Sequence, residues 1–117
     1  MTEPALRWAV ADGRLGGPRG HDTYILLANP NAVPAEVQVR FLKPGVEIVR
    51  TYRLNPTSRL NVHVSDDAPA LGEGVFTAEI QVLNFQPIAV EKAMYWNAVG
   101  TIWAAGTNVT ATRMPPR

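Results

Sequence analysis

Apolar and polar residues alternate along most of this chain with a period of two. In the stretch 35–43, AEVQVRFLK, the apolar residues Val37, Val39 and Phe41 take every second position, with polar residues between them. Because successive side chains of a strand point to opposite faces, this pattern is typical of an antiparallel strand with one buried face. No segment has a convincing 3.6-residue period, so the alternation predicts an all-β protein.

Turn-forming segments separate the strands. They are rich in glycine, proline, asparagine and aspartate, as in NPNAVP, KPG and DDAPALGEG. Proline ends a strand because it has no N–H to donate, and the Pro44-Gly45 pair favours a tight hairpin turn. A short helical turn is also expected at Pro69–Gly72. We place eight strands near residues 6–12, 22–28, 35–43, 46–54, 59–65, 75–84, 87–96 and 101–112.

The length and composition suit one globular domain. A chain of 117 residues buries roughly two-thirds of its unfolded surface, which is enough for one core. Its 46% apolar and 18% charged residues are typical of a folded domain. We therefore predict a single domain over 1–117, with a core at about 7–112, folded as an immunoglobulin-like antiparallel β-sandwich. The predicted inward-facing residues are Val37, Val39, Phe41, Leu60, Val62, Phe76, Ile80, Val82, Ile88 and Val90.

Charge and residue content argue against several classes of protein. Eleven basic and ten acidic residues give a net charge of +1, which creates no field to attract nucleic acid or an anionic membrane. The absence of cysteine excludes disulfides, thiolate catalysis and cysteine metal sites. No apolar run approaches the roughly 18 residues of a membrane span. The start, MTEPALRWAV, lacks the features of a signal peptide, so we expect any secretion signal to lie outside this segment.

No pattern in the chain points to catalysis. Ser58 and Ser65 are the only serines, and neither lies in the glycine-flanked elbow of a hydrolase nucleophile. Glu47, Glu79 and Glu91 fall within predicted strands, where ion pairing across strands explains them without acid–base chemistry. We predict a protein that is not an enzyme and has no cofactor.

The two histidines give a metal-site alternative. His21 and His63 each stand beside acidic residues, in GHD and HVSDD, and could bind a metal together with Asp22 or Asp66. The spacing matches no recognised metal motif, however. Two histidines on separate loops are more often a solvated strand-face residue and a turn residue.

The loop after the fifth strand gives a second, calcium-binding alternative. Asp66, Asp67 and Glu73 supply oxygen ligands on a glycine-bearing loop, and calcium often rigidifies extracellular modules. These acids are too few and too irregularly spaced for an EF-hand. An ordinary polar loop is the competing explanation.

Aromatic residues near the last strand connection are the candidate ligand-binding residues. The segments MYWN and TIW place Tyr95, Trp96 and Trp103 across this connection. Flat rings near a loop can stack on sugar rings or on a partner protein. Alternation also sends at least one of these rings into the core, as it does Trp8 in the first strand. Carbohydrate binding and burial are therefore the competing explanations.

A family resemblance is carried by the segments WAVADGR, TYILLANPN, AEVQVRFLKPG, SRLNV, QPIAVEKAMYW and GTIWAAGTN. Their order and spacing resemble β-sandwich modules of unknown function found, often in tandem, in large secreted or cell-surface bacterial proteins. The resemblance covers about Arg7 to Thr112. It implies a non-catalytic structural, adhesion or display module of an extracellular protein, with a protein or polysaccharide partner at the cell surface. A carbohydrate-binding module and a small histidine-containing metalloprotein are the alternatives.

The same resemblance singles out two charged residues. Arg59 and Glu91 are of recurring charged types within otherwise alternating strands, and we expect them to form a structural charge pair. Carbonyls of the preceding Asn-Pro-Thr-Ser turn are the alternative partners of Arg59. Arginine suits that role because its planar guanidinium can bond a carboxylate through two N–H groups. Lys92 stands where an arginine commonly follows the glutamate.

A second, fainter similarity is to the sensory rhodopsin transducer family. It is carried by a tryptophan in the opening strand, a strand that ends near an asparagine, and a strand containing PIAV. Members of that family are small β-sandwich proteins that oligomerise. The similarity implies a possible homo-oligomer.

Overall fold

The computed structural model describes residues 4–98 and 101–115, except for the side chains at 98, 101–105 and 108. Apart from one four-residue α-helix and one 3-10 turn, its regular elements are strands. No helix in the described ranges is long and apolar enough to cross a membrane. The elements are β1 Arg7–Leu15, β2 Asp22–Asn29, β3 Ala35–Lys43, β4 Val46–Leu54, β5 Ser58–His63, α1 Val64–Asp67, the 3-10 turn Pro69–Leu71, β6 Gly74–Val82, β7 Ala89–Ala98, β8 Thr101–Thr110 and β9 Thr112–Arg113.

Two antiparallel sheets form a sandwich. One sheet has the strand order β4-β3-β6-β1-β9, and the other has the order β5-β2-β7-β8. The β3–β4 and β7–β8 connections join neighbours within one sheet, whereas every other connection between consecutive strands crosses to the opposite sheet. The predicted all-β antiparallel sandwich is confirmed.

The eight predicted strands are all present, with differences at their ends. β1 runs on to Leu15 because a bulge between Val10 and Gly13 lets the strand continue beyond Asp12, whose φ is 57°. The predicted helical turn at Pro69–Gly72 is found as the 3-10 turn. The prediction that the fifth strand reaches residue 65 is wrong, because helix α1 already begins at Val64.

The core lies between the sheets where alternation predicts it. Nine of the ten predicted inward-facing residues are buried, and Leu60 is partly buried against them. Trp8 is fully buried, and its indole N–H donates a hydrogen bond of 2.9 Å to the carbonyl of Ile88. This bond satisfies the polar atom of the largest core side chain and ties β1 to the segment that leads into β7.

A buried asparagine fixes the turn after β2. Asn29 is 1% exposed, and its amide nitrogen donates to the carbonyls of Val33, Leu54 and Asn55. Its side-chain oxygen accepts bonds from the backbone and side-chain nitrogens of Asn31. One side chain therefore joins two turns at this end of the sandwich.

Candidate functional site

Most of the polar residues singled out in the sequence meet at the opposite end of the sandwich. The β1–β2 loop and the segment that follows β5 border a cavity of about 380 Å³, here called the end groove. Gly16 and His21 bond to each other through both of their backbone N–H groups, at 2.7 and 2.9 Å, which closes the loop tightly. The polar side chains that line the groove are His21, Asp22, Ser65 and Glu73, and the apolar ones include Leu15 and Pro69.

His63 is held between two carboxylates beside this groove. Its Nδ1 lies 2.8 Å from Asp66 Oδ2, and its Nε2 lies 2.7 Å from Asp22 Oδ2. The ring of Tyr24 stacks on it, with centroids 4.5 Å apart and planes 9° apart. Burial lowers the pKa of His63, but the hydrogen bonds to Asp22 and Asp66 outweigh it, and the pKa is raised above its usual 6.5. We call Asp22, His63 and Asp66 the carboxylate clamp, because together they join β2, β5 and α1.

Ser65 gives the clamp a superficial likeness to a catalytic relay. Its Oγ lies 3.1 Å from His63 Nε2, while Asp66 contacts the other ring nitrogen, as in a Ser-His-Asp triad. Asp22 contacts the same Nε2 more closely, however. A general base must accept a proton from the serine, whereas a histidine with a raised pKa already holds one over a wider pH range. These contacts favour a structural clamp over a nucleophilic serine.

In the described part of the chain, no group of side chains fits either of the two metal sites suggested by the sequence. No group of three or more histidine, aspartate or glutamate side chains is arranged there to hold a metal. Both nitrogens of His63 already face carboxylates, and His21 instead packs on Trp96. Of the loop acids proposed for calcium, Asp67 accepts a hydrogen bond of 2.7 Å from the hydroxyl of Tyr52.

The candidate aromatic residues lie on two sides of β7. Tyr95 meets Tyr24 edge to face, with centroids 6.1 Å apart, on the outward side of its sheet. Trp96, the next residue, lies 5.7 Å from the ring of His21, which lines the end groove. Both are partly buried, and the side chain of Trp103 lies outside the described residues. The structure thus brings two of the three candidates to the groove end, but not into one flat platform.

Arg59 and Glu91 are not paired with each other. Both are exposed, and no hydrogen bond or ion pair joins these two described residues. They lie on either side of β2, with Arg59 opposite Ala28 and Glu91 opposite Leu26. Both line a cavity of about 460 Å³, away from the end groove.

Lys92, next to Glu91, has a separate structural role. Its ammonium group donates a hydrogen bond of 2.9 Å to the carbonyl of Ala11, within the β1 bulge. A single lysine donor is sufficient for this carbonyl, so the site does not require the two parallel N–H groups of an arginine.

Two solved structures share the fold of this chain at low sequence identity. The crystal structure of Thermotoga maritima 1070 is similar with a TM-score of 0.78 and 12% identity, over 94% of this chain and 95% of that one. The Anabaena sensory rhodopsin transducer is similar with a TM-score of 0.61 and 17% identity, over 79% of this chain and 98% of that one. No family model matches the chain, and no curated protein matches it significantly.

These similarities support one of the two resemblances seen in the sequence. The fold of the Anabaena transducer is shared, which agrees with the fainter similarity. The resemblance to tandem modules of cell-surface proteins is not confirmed and stays a prediction. At such low identities the likeness extends to the fold and not to binding residues.

Proposed function

We propose that this chain is a non-catalytic binding module that holds a ligand in the end groove. The observation that carries the proposal is the carboxylate clamp, which fixes Asp22 and neighbouring Ser65 on one wall of the groove. A wall fixed before binding loses little side-chain entropy when a ligand arrives. Preorganised polar groups beside an apolar surface are typical of small-molecule sites.

The ligand class that suits these groups best is carbohydrate. Two carboxylates, a hydroxyl and an imidazole line the groove, and they offer mainly acceptors to the many hydroxyl donors of a sugar. Leu15 and Pro69 add apolar surface, against which the C–H face of a sugar ring can pack. The ring of Trp96 lies 5.7 Å from that of His21, and Trp96 is not among the residues that line the groove. The ring in contact with the ligand would therefore be His21 rather than the tryptophan.

The biological setting that we propose is adhesion or display at a bacterial cell surface. It rests on the sequence resemblance to modules of secreted and cell-surface proteins, whose partners would be polysaccharides or proteins. A rigid sandwich with its recognition residues at one end suits such a role, because the rest of the surface is left for neighbouring domains. Localisation outside the cell is part of the same proposal.

A glycan array probed with the full chain tests this proposal, followed by calorimetric titration of the strongest binder. We expect Glu73→Gln to weaken that binding by about tenfold, which is the loss of roughly one charge-assisted hydrogen bond. Glu47→Gln is the matched control, since Glu47 is an exposed glutamate of β4 that is bonded to Arg40 and lies outside the groove. No bound glycan, or equal binding by all three proteins, would contradict the proposal.

A further inference from the structure

A second cavity adjoins the end groove at the β1–β2 loop. Its volume is about 430 Å³, and we call it the side cleft. Four residues line both spaces, namely Leu15, Gly16, His21 and Glu73. Because the two spaces meet at these residues, a ligand in the groove that is longer than one sugar ring can extend into the cleft.

The side cleft has two arginines that the end groove lacks. Arg14 lies near the end of β1, opposite Val75 of β6, and Arg19 lies in the β1–β2 loop. Both are exposed, and neither guanidinium has a hydrogen-bond or ion-pair acceptor among the described residues. Arg40 and Arg53, by contrast, are paired with glutamates. The two guanidinium groups of the cleft are therefore available to a ligand.

The backbone around Arg19 is fixed by hydrogen bonds. The N–H of Gly20 donates to the carbonyl of Gly17 at 3.0 Å, and the carbonyl of Arg19 accepts a bond of 2.7 Å from the N–H of Asn97 in β7. These bonds add to the pair that closes the same loop beside the end groove. An anchored backbone lowers the entropy that is lost when Arg19 binds a ligand.

The side cleft has a local excess of positive charge. Among its described lining residues, Glu73 is the single carboxylate beside two arginines. The carboxylate of Asp22 lies in the end groove and is already bonded to His63. An anionic group in the cleft therefore meets more positive than negative charge. Guanidinium groups suit a carboxylate or a sulfate, because they donate two parallel N–H bonds to it.

We propose that the ligand of the end groove is an acidic saccharide, whose carboxylate or sulfate group is bound by Arg14 and Arg19 in the side cleft. The assignment rests on the proposed function, because it names the class of saccharide that this site binds. Hydroxyl groups of the ligand donate to Asp22 and Glu73 in the groove, and the anionic group points away from them into the cleft. A neutral saccharide makes the first set of contacts and lacks the second.

Matched pairs of acidic and neutral glycans test the proposal by calorimetric titration of the full chain. Oligogalacturonate and its methyl ester test the carboxylate, and a sulfated galactan oligomer and its desulfated form test the sulfate. We expect the acidic member of one pair to bind about tenfold more tightly than its neutral counterpart at low salt. This difference should shrink in about 1 M sodium chloride, because salt screens exposed charges.

Two arginine variants locate the preference in the side cleft. Arg14→Gln and Arg19→Gln should each lower the affinity for the acidic glycan by about three- to tenfold. The affinity for the neutral glycan should not change, which also shows that each variant is folded. Arg59→Gln is the matched control and should change neither affinity. Arg59 is an exposed arginine without an acceptor among the described residues, and it lines a different cavity.

The outcomes separate this proposal from the proposed function. Equal binding of the two members of each pair would overturn the acidic ligand while a bound saccharide still stands. An acidic preference that persists in both arginine variants would also overturn it, because the anion would then bind elsewhere. Absence of binding by any glycan would instead contradict the proposed function, and the acidic ligand with it.

Discussion

Gly13 shows how closely single positions are fixed in this core. It lies at the β1 bulge, and a Cβ built there would lie 2.4 Å from two ring carbons of Phe76. We expect Gly13→Ala to lower the free energy of unfolding by about 1–3 kcal/mol through overpacking. Phe76→Ala should cost about 3–5 kcal/mol, because it leaves a cavity beneath Gly13. Urea unfolding of each variant measures both values.

The double variant shows whether the two residues are coupled through this contact. In the Phe76→Ala background the ring that blocks the new methyl group is absent, so Gly13→Ala should cost much less than in the wild type. An equal cost in both backgrounds would contradict the packing described for β1 and β6.

The carboxylate clamp predicts a pH dependence of stability. The folded-state pKa of His63 is raised above 6.5, so its contribution to stability is fully present below that value and is lost as the pH rises through the folded pKa. Thermal unfolding should therefore show His63→Gln less stable than wild type at about pH 6, with the gap narrowing by about pH 9. His21→Gln controls for the loss of a histidine outside the clamp. A gap that widens with pH would contradict this account.

At this scale the sequence predicts burial better than it predicts contacts. The inward-facing residues follow from alternation, because it depends only on neighbours in the chain. The carboxylate clamp does not follow from alternation, because Asp22 and His63 are 41 residues apart in the chain. They meet only through the β2–β5 register, in which Tyr24 lies opposite His63. The acidic neighbours of both histidines were the only sequence signal of this site.

The turn of the β3–β4 hairpin depends on the glycine at position 45. Lys43 pairs with Val46, and Gly45 has a φ of 77° with no atom near a Cβ built on it. The cost of Gly45→Ala therefore comes from the backbone alone, and we expect about 1–2 kcal/mol. Gly45→Asn should cost less, because asparagine tolerates this conformation better. Thermal unfolding that ranks alanine at or above asparagine in stability would contradict the turn geometry.

The end of β5 shows where the alternating pattern fails as a guide to elements. Val62 and Val64 are both buried, as continued alternation predicts, yet the backbone becomes helical at Val64. One buried residue at the start of a short helix looks the same in the sequence as the last residue of a strand. The short helix makes a long-range contact that the local pattern does not show, the bond from Tyr52 to Asp67.

For the whole molecule, the pattern predicts the class of fold but not the order of its strands. Eight alternating segments are compatible with many sheet arrangements, because pairing depends on contacts between distant segments. For the same reason, the pattern does not predict which loops lie at the same end of the sandwich. The fold similarity at 12% identity agrees with this, since the arrangement persists while most side chains differ.

Metal removal gives a further prediction for the whole molecule. The described residues contain no ligand set, so the melting temperature should be the same with and without a chelator. Elemental analysis of the purified chain complements the melting curves. A stoichiometric metal whose removal lowers the melting temperature, with recovery on adding that ion, would favour the metalloprotein alternative.

The central claim is that the end groove binds a saccharide, and amide chemical-shift mapping tests it most directly. The ¹⁵N-labelled chain is titrated with the strongest glycan from the array. We predict that the shifts concentrate on the groove residues, such as Gly16, His21, Asp22, Ser65 and Gly72. Saturating shifts confined to another surface, such as the outward face around Leu26, or no shifts at all, would contradict the claim.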